Sequence, residues 1–126
     1  MLTAPDLPTT YLSGDNAWLG AVEQAAARFG PVDVAVLFTG AARIASRFDG
    51  ALLTLDSAQS AEAARLLGAR IAVPVHYAGW QHFTEGGADL RTAFDRAGQA
   101  GRLVLLAPGE AADLADAAAA GGRERP

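Results

Sequence analysis

Short apolar runs alternate with segments of helical periodicity along most of this 126-residue chain. The runs at residues 32–38 and 69–76 have the composition of strands that are buried on both faces of a sheet. Single helical segments separate these runs, and that alternation predicts parallel strands joined by right-handed crossovers. The predicted fold class is therefore α/β, with three to four mostly parallel strands and intervening helices.

The element boundaries follow from local signals. The predicted strands span residues 9–13, 32–38, 69–76 and 103–106. Pro74 breaks one hydrogen-bonding edge of the third strand, because proline has no N–H to donate. The first helix is expected to begin with Asp15 or Asn16 as its N-cap and to end at Gly30. Further helices are predicted at residues 56–67, 88–97 and 110–120. Residues 39–55 are predicted to form a loop, with a short edge strand inside it as an alternative.

Composition excludes several classes of protein. Charged residues make up 19% of the chain and the net charge is −4, so no positive field favours nucleic acid or an anionic membrane. Cys is absent, which removes disulfides, thiolate metal ligands and Cys nucleophiles. No apolar run approaches the roughly 20 residues that span a bilayer. Residues 1–6 lack the basic and apolar regions typical of a signal peptide, and a cytoplasmic location is expected.

Two polar residues follow apolar runs, where ligands of parallel sheets gather. Asp15 comes directly after a predicted strand and Gly14, although an Asp there could simply cap the next helix. His76 ends another strand and precedes an aromatic loop that also holds His82. Imidazole is the commonest metal ligand, but a single His at a strand end is often structural. Spacing alone leaves both interpretations open for each residue.

Taken together, four segments resemble the metallo-β-lactamase superfamily of metal-dependent hydrolases. They are residues 13–15 (Ser-Gly-Asp), residues 30–37 (beginning Gly-Pro-Val-Asp), residues 67–77 (ending Val-Pro-Val-His-Tyr) and residues 107–110 (Ala-Pro-Gly-Glu). Their order and spacing are most similar to the branch that contains ascorbate-6-phosphate lactonase-like hydrolases. The resemblance extends over nearly the whole chain, from about residue 2 to residue 110.

The resemblance implies an αββα sandwich with two zinc or manganese ions between its halves. Asp15 would be the carboxylate that bridges the metals, and His76 would be the last histidine ligand. The implied reaction is hydrolysis of an ester, lactone or phosphoester by a metal-bound hydroxide. His82 matches a local feature of the branch and is not expected to be a ligand.

The family's His-x-His-x-Asp-His cluster is missing, and the chain has only two histidines. Asp15 and His76 fall short of the roughly three protein ligands that a catalytic zinc needs. The chain is therefore expected to be the C-terminal half of such a domain, truncated and inactive alone, without retained zinc. Residues 1–110 would form the half-domain and residues 111–126 an Ala-rich helix and frayed tail. The expected partner is a separate N-terminal half, or a second copy bound through an exposed sheet face.

Two alternatives belong to other classes of protein. The chain could be a binding or interaction module that keeps the half-fold and has lost catalysis, which the missing histidines favour. It could also be a small flavodoxin-like domain that binds a nucleotide or phosphate at the Gly14 turn. The second alternative is weakened because the sequence has no G-x-x-x-x-G-K-[ST] phosphate loop.

Overall fold

The core of the fold is a three-stranded parallel sheet. The computed structural model describes residues 1–114. The strands are β1 (Thr10–Leu12), β2 (Val34–Phe38) and β3 (Ile71–Val75), and they lie in the order β1-β2-β3. Both strand pairs are parallel, so the predicted α/β class and parallel pairing are confirmed. All three strands therefore end at the same edge, called here the carboxyl edge.

Three helices follow the strands: α1 (Leu19–Phe29), α2 (Ser57–Leu66) and α3 (Gly87–Arg96). Short 3-10 turns occur at Phe48–Gly50 and Ala100–Arg102. Among residues 1–114, no helix is long and apolar enough to cross a lipid bilayer. The predicted starts and stops of α2 and α3 are confirmed to within a residue or two.

Local chemistry explains the ends of α2. The Asp56 carboxylate accepts a hydrogen bond from the Gln59 N–H at 2.7 Å, and the Gln59 side chain accepts from the Asp56 N–H at 3.1 Å. This is the predicted capping box, which satisfies two N–H groups that have no partner inside the helix. Gly68 follows the last turn with a φ of 57°, a conformation that favours glycine.

The predicted start of α1 is wrong. The helix begins at Leu19 with Trp18 as its N-cap, and Trp18 makes no side-chain cap bond. Asn16 instead binds the backbone of Trp18, accepting from its N–H at 3.0 Å and donating to its C=O at 3.1 Å. Asp15 therefore caps no helix, so helix capping, the structural interpretation considered above, does not account for an Asp at this position.

The predicted fourth strand at residues 103–106 is reduced to a single bridge between Ala72 and Leu103. On β3, the Ile71 N–H and the Val75 C=O form hydrogen bonds toward the β2 side of the sheet. The backbone groups of Ala72 and Pro74 therefore point toward the outer edge. Ala72 accepts from the Val104 N–H at 2.9 Å. Pro74 has no N–H to continue this ladder, which explains why the pairing ends.

The predicted C-terminal helix at residues 110–120 is not seen in its described part. Residues 110–114 have no helical structure, and the rest of that prediction, with the predicted tail, lies outside the described residues. The predicted loop at residues 39–55 is present and contains the first 3-10 turn, without an edge strand.

All three helices pack on one face of the sheet. The buried cluster joins Val22 of α1, Ala64 of α2 and Phe94 of α3 to side chains on one face of the strands. Those strand residues are Tyr11, Ala35, Leu37 and Ala72. A flavodoxin-like sheet carries helices on both faces. The described sheet, with strand order 1-2-3 and its three helices on one face, differs from that arrangement.

The opposite face, called here the open face, is also apolar. Side chains alternate between the faces of a strand, so this face presents the residues between those of the cluster. They are Thr10 and Leu12 of β1, Val34, Val36 and Phe38 of β2, and Ile71, Val73 and Val75 of β3. Leu12 is 43% exposed, and Val34 and Val73 are buried. None of the three α-helices of residues 1–114 packs there.

Candidate functional site at the carboxyl edge

Asp15 and His76 lie at the same edge of the sheet, as the parallel topology requires. Asp15 follows the end of β1, and His76 directly follows the end of β3. β2 lies between these strands, so roughly 10 Å, or two strand spacings, separates their ends. No hydrogen bond or ion pair joins the two side chains in the described structure. The site is therefore open between them, with β2 and the loop after it as its floor.

The turn before Asp15 is held by Ser13. The Ser13 hydroxyl donates to the Gly14 C=O at 2.9 Å and accepts from the Phe38 N–H at 2.8 Å. Gly14 has a φ of 59°, which favours glycine. This small network connects the ends of β1 and β2. It leaves the Asp15 carboxylate exposed and without a partner among residues 1–114.

The His76 ring lies in an aromatic cluster. Its centroid is 5.4 Å from that of Phe38, in a stacked arrangement, and 4.7 Å from that of Phe83, in an edge contact. The His76 Nδ1 is buried and has no hydrogen-bond partner in the described part of the chain. A buried polar atom without a partner costs about 1–3 kcal/mol, so a hydrogen-bond partner or a metal at this nitrogen would stabilise the structure.

His82 is close to His76 but is placed differently. The two imidazole centroids are 6.4 Å apart, and the Phe83 ring makes an edge contact with both, at 4.7 Å each. Trp80 lies 5.8 Å from His82 and is 68% exposed, so it is not part of the interior. Tyr77 donates its hydroxyl to the Leu106 C=O at 2.9 Å, which gives it a structural role.

Gly40 builds the floor of the site, and sequence reasoning did not find it. Its φ is 92°, and a Cβ there would lie 2.6 Å from the His76 carbonyl oxygen. Only glycine therefore lets the loop after β2 approach the backbone of His76. The Gly40 C=O also accepts from the N–H groups of Thr84 and Glu85. A glycine two residues after a buried apolar run was the signal available in the sequence.

Thr39 and Thr54, which sequence reasoning also passed over, fix the same loop. The Thr39 hydroxyl donates to the Val75 C=O at 3.2 Å, and the Thr54 hydroxyl donates to the Thr39 C=O at 2.8 Å. Both threonines are buried. The Thr39 bond connects the ends of β2 and β3, and the Thr54 bond holds the two ends of the loop after β2 together.

Zinc binds carboxylate and imidazole ligands, but Asp15 and His76 provide only one of each. Among residues 1–114, no three His, Asp or Glu side chains form a group that could hold a metal ion. Asp15 and His76 are two residues of types that bind zinc, which is fewer than the roughly three protein ligands of a catalytic zinc centre.

Comparison with known proteins shows the fold. An isothiocyanate hydrolase from Delia radicum gut bacteria matches with a TM-score of 0.73 and 23% identity, over 86% of this chain and 41% of that one. A possible metal-dependent hydrolase from Veillonella parvula DSM 2008 matches with a TM-score of 0.73 and 24% identity, over 86% and 40%. No protein-family model and no curated protein sequence matches. The chain has the fold of a fragment, about two fifths in length, of these hydrolases.

Proposed function

We propose that this chain is one part of a metal-dependent hydrolase and that it contributes Asp15 and His76 as two of the metal ligands. The observation that carries the proposal is the buried His76 Nδ1 without a partner, at the edge it shares with the unpartnered Asp15 carboxylate. The likeness to two hydrolase structures supports the class of protein. The proposed substrates are esters, lactones or phosphoesters.

The remaining ligands would come from polypeptide that packs on the open face. That face is apolar, and Leu12 leaves 43% of its surface exposed there. The matched hydrolases are more than twice as long as the matched segment, so they hold additional structure that could cover it. In the metallo-β-lactamase fold proposed here, a second sheet from the N-terminal half would pack against it.

The residues of this chain would hold and orient the site. Zinc or manganese, when bound, would supply hydrolytic power by activating water near neutral pH. Asp15 would present its carboxylate from a turn that Ser13 and Gly14 hold in place. His76 would present Nδ1 from a ring that Phe38 and Phe83 keep from rotating. Such packing is what keeps a ligand in position for a metal.

Zinc titration of the isolated chain tests the two ligands. We expect weak binding in fast exchange, because two ligands are too few for tight retention. The Nδ1 resonance of His76 should shift in ¹⁵N-edited NMR of the imidazole rings, and Asp15→Ala should remove most of that shift. His82→Ala is the matched control and should keep it. A zinc shift centred on His82, or zinc that survives dialysis, would contradict this ligand set.

The isolated chain is expected to lack hydrolase activity. Without a complete metal centre no hydroxide forms near neutral pH, so the chemical step has no nucleophile. Release of p-nitrophenol from p-nitrophenyl acetate and from bis-p-nitrophenyl phosphate should equal that of Asp15→Ala, in the presence of zinc or manganese. Metal-dependent turnover that disappears in Asp15→Ala would show instead that the chain is a complete enzyme.

A further inference from the structure

The loop that follows β3 is anchored unevenly. Its tip, residues 78–81, makes no backbone hydrogen bond to another segment within residues 1–114. Its return segment, residues 82–85, is bonded to the loop after β2. The His82 C=O accepts a hydrogen bond from that loop at 2.9 Å, and the Thr84 hydroxyl donates to the Ala41 C=O at 2.7 Å. The return segment is therefore the fixed part of the loop after β3.

Glu85 joins the return segment to α2. Its carboxylate accepts a hydrogen bond at 2.7 Å from the N–H of Ser57, the first residue of that helix. Asp56 and Asp89 each accept from an N–H three residues away, whereas the Glu85 bond joins residues that are 28 apart. A carboxylate is favoured at this position, because the first N–H groups of a helix lack acceptors inside it and its dipole is positive there. Glu85 therefore connects two distant segments at the carboxyl edge.

Phe83 lies in the segment that Glu85 anchors, two residues before it, and its ring contacts the His76 ring. The two ring centroids are 4.7 Å apart, in an edge contact. His76 itself has a φ of 61°, a conformation that is unfavourable for a residue with a side chain and persists only where the surroundings hold it. The position of His76 thus depends on its neighbours, and Phe83 is the neighbour that the Glu85 bond fixes.

We propose that Glu85 is a positioning residue of the candidate site. Its bond to the first turn of α2 fixes Phe83, and Phe83 keeps the His76 ring in the orientation in which it binds a metal. The inference rests on the function proposed above, in which His76 is a metal ligand. Residues that orient a ligand without touching the metal commonly determine the metal affinity. Glu85 is not itself a proposed ligand, because its carboxylate is bonded to Ser57.

Two substitutions break the bond between Glu85 and Ser57 from opposite sides. Glu85→Ala removes the acceptor. Ser57→Pro removes the donor, and proline suits the first position of a helix, while Asp56 before it is already extended, with a φ of −77° and a ψ of 175°. Ser57→Ala is the matched control, because it keeps the N–H and removes a hydroxyl that has no hydrogen-bond partner in the described part of the chain. Glu85→Gln is the conservative variant, since its amide oxygen can still accept.

NMR of the imidazole rings in the presence of a chelator measures the packing of His76 without metal. The ring currents of Phe38 and Phe83 shift its ring-proton resonances, because both rings contact it. We expect Glu85→Ala and Ser57→Pro to move these resonances toward those of an unpacked histidine, and Ser57→Ala and Glu85→Gln to leave them near the wild-type positions. Far-UV circular dichroism identifies the variants that fold, and either bond-breaking variant suffices. Unchanged resonances in a folded Glu85→Ala or Ser57→Pro, or an equal change in Ser57→Ala, would refute the role of Glu85.

Zinc titration of the same variants connects the Glu85 bond to metal binding. We expect the zinc concentration at half-maximal shift of the His76 resonances to rise about tenfold in Glu85→Ala and Ser57→Pro, and not in Ser57→Ala. The double variant should lose no more than either single one, because both remove the same bond. Packing that changes while the zinc midpoint does not would overturn the proposal. No zinc shift in the wild type would instead contradict the function proposed above, and the metal-free resonances would still decide whether Glu85 positions His76.

Discussion

Replacing Phe94 by alanine is expected to remove a large part of the chain's stability. Phe94 is fully buried and joins α3 to the cluster between the helices and the sheet. Truncating a buried phenylalanine costs about 3–5 kcal/mol, and domains of ordinary size have only about 5–15 kcal/mol in total. Urea unfolding followed by far-UV circular dichroism measures the change in the free energy of unfolding.

Phe48→Ala is the matched control for this substitution. Phe48 is 66% exposed in the loop after β2, so its truncation should change the free energy of unfolding by no more than about 0.5 kcal/mol. A loss below about 1 kcal/mol in Phe94→Ala would mean that α3 is not packed on the sheet as described.

The isolated chain is expected to sediment as a dimer or larger species at micromolar concentration. Its open face is apolar across all three strands, and apolar patches of several hundred Å² mark interaction or aggregation sites. Leu12 and Val36 are register partners on adjacent strands of that face. Replacing both by lysine should shift sedimentation toward the monomer, because pairing two such faces would bury four unpaired charges.

Trp80→Lys serves as the control for the sheet face. Trp80 is the most exposed of the large apolar side chains at 68%, but it lies on the loop after β3 and not on the open face. Its replacement should leave the sedimentation coefficient unchanged. A wild-type chain that is monomeric at all micromolar concentrations would contradict the role proposed for the open face.

The elements that sequence predicted well are those with self-contained signals. Asp56 and Gln59 cap α2 through contacts three residues apart, and Gly68 and Gly98 end helices by their own positive φ. The start of α1 was mispredicted because Asn16 bonds the backbone two residues ahead instead of capping the helix. A cap and a local turn use the same residue types, so sequence alone does not distinguish them.

In the candidate site, too, sequence predicted the residues with local signals and missed those defined by distant contacts. Asp15 and His76 were found because each follows an apolar strand, and parallel topology then brings both to one edge. The surroundings of His76 were not found, because they depend on contacts between distant segments. Gly40 meets the His76 carbonyl only after β2 and β3 are paired. The metal roles of Asp15 and His76 remain predictions that the zinc titration tests.

Both outer edges of the sheet are partly blocked to a further strand. On β1, the Thr10 N–H and C=O are already bonded to Leu2, and on β3, Pro74 offers no donor beyond Ala72. Unpaired strand edges are the usual templates for open-ended sheet growth. A second sheet would therefore have to pack on the open face, since the helices cover the other side. Assembly that stacks one sheet on another in this way stops after a single partner, so it favours a finite complex over a fibre.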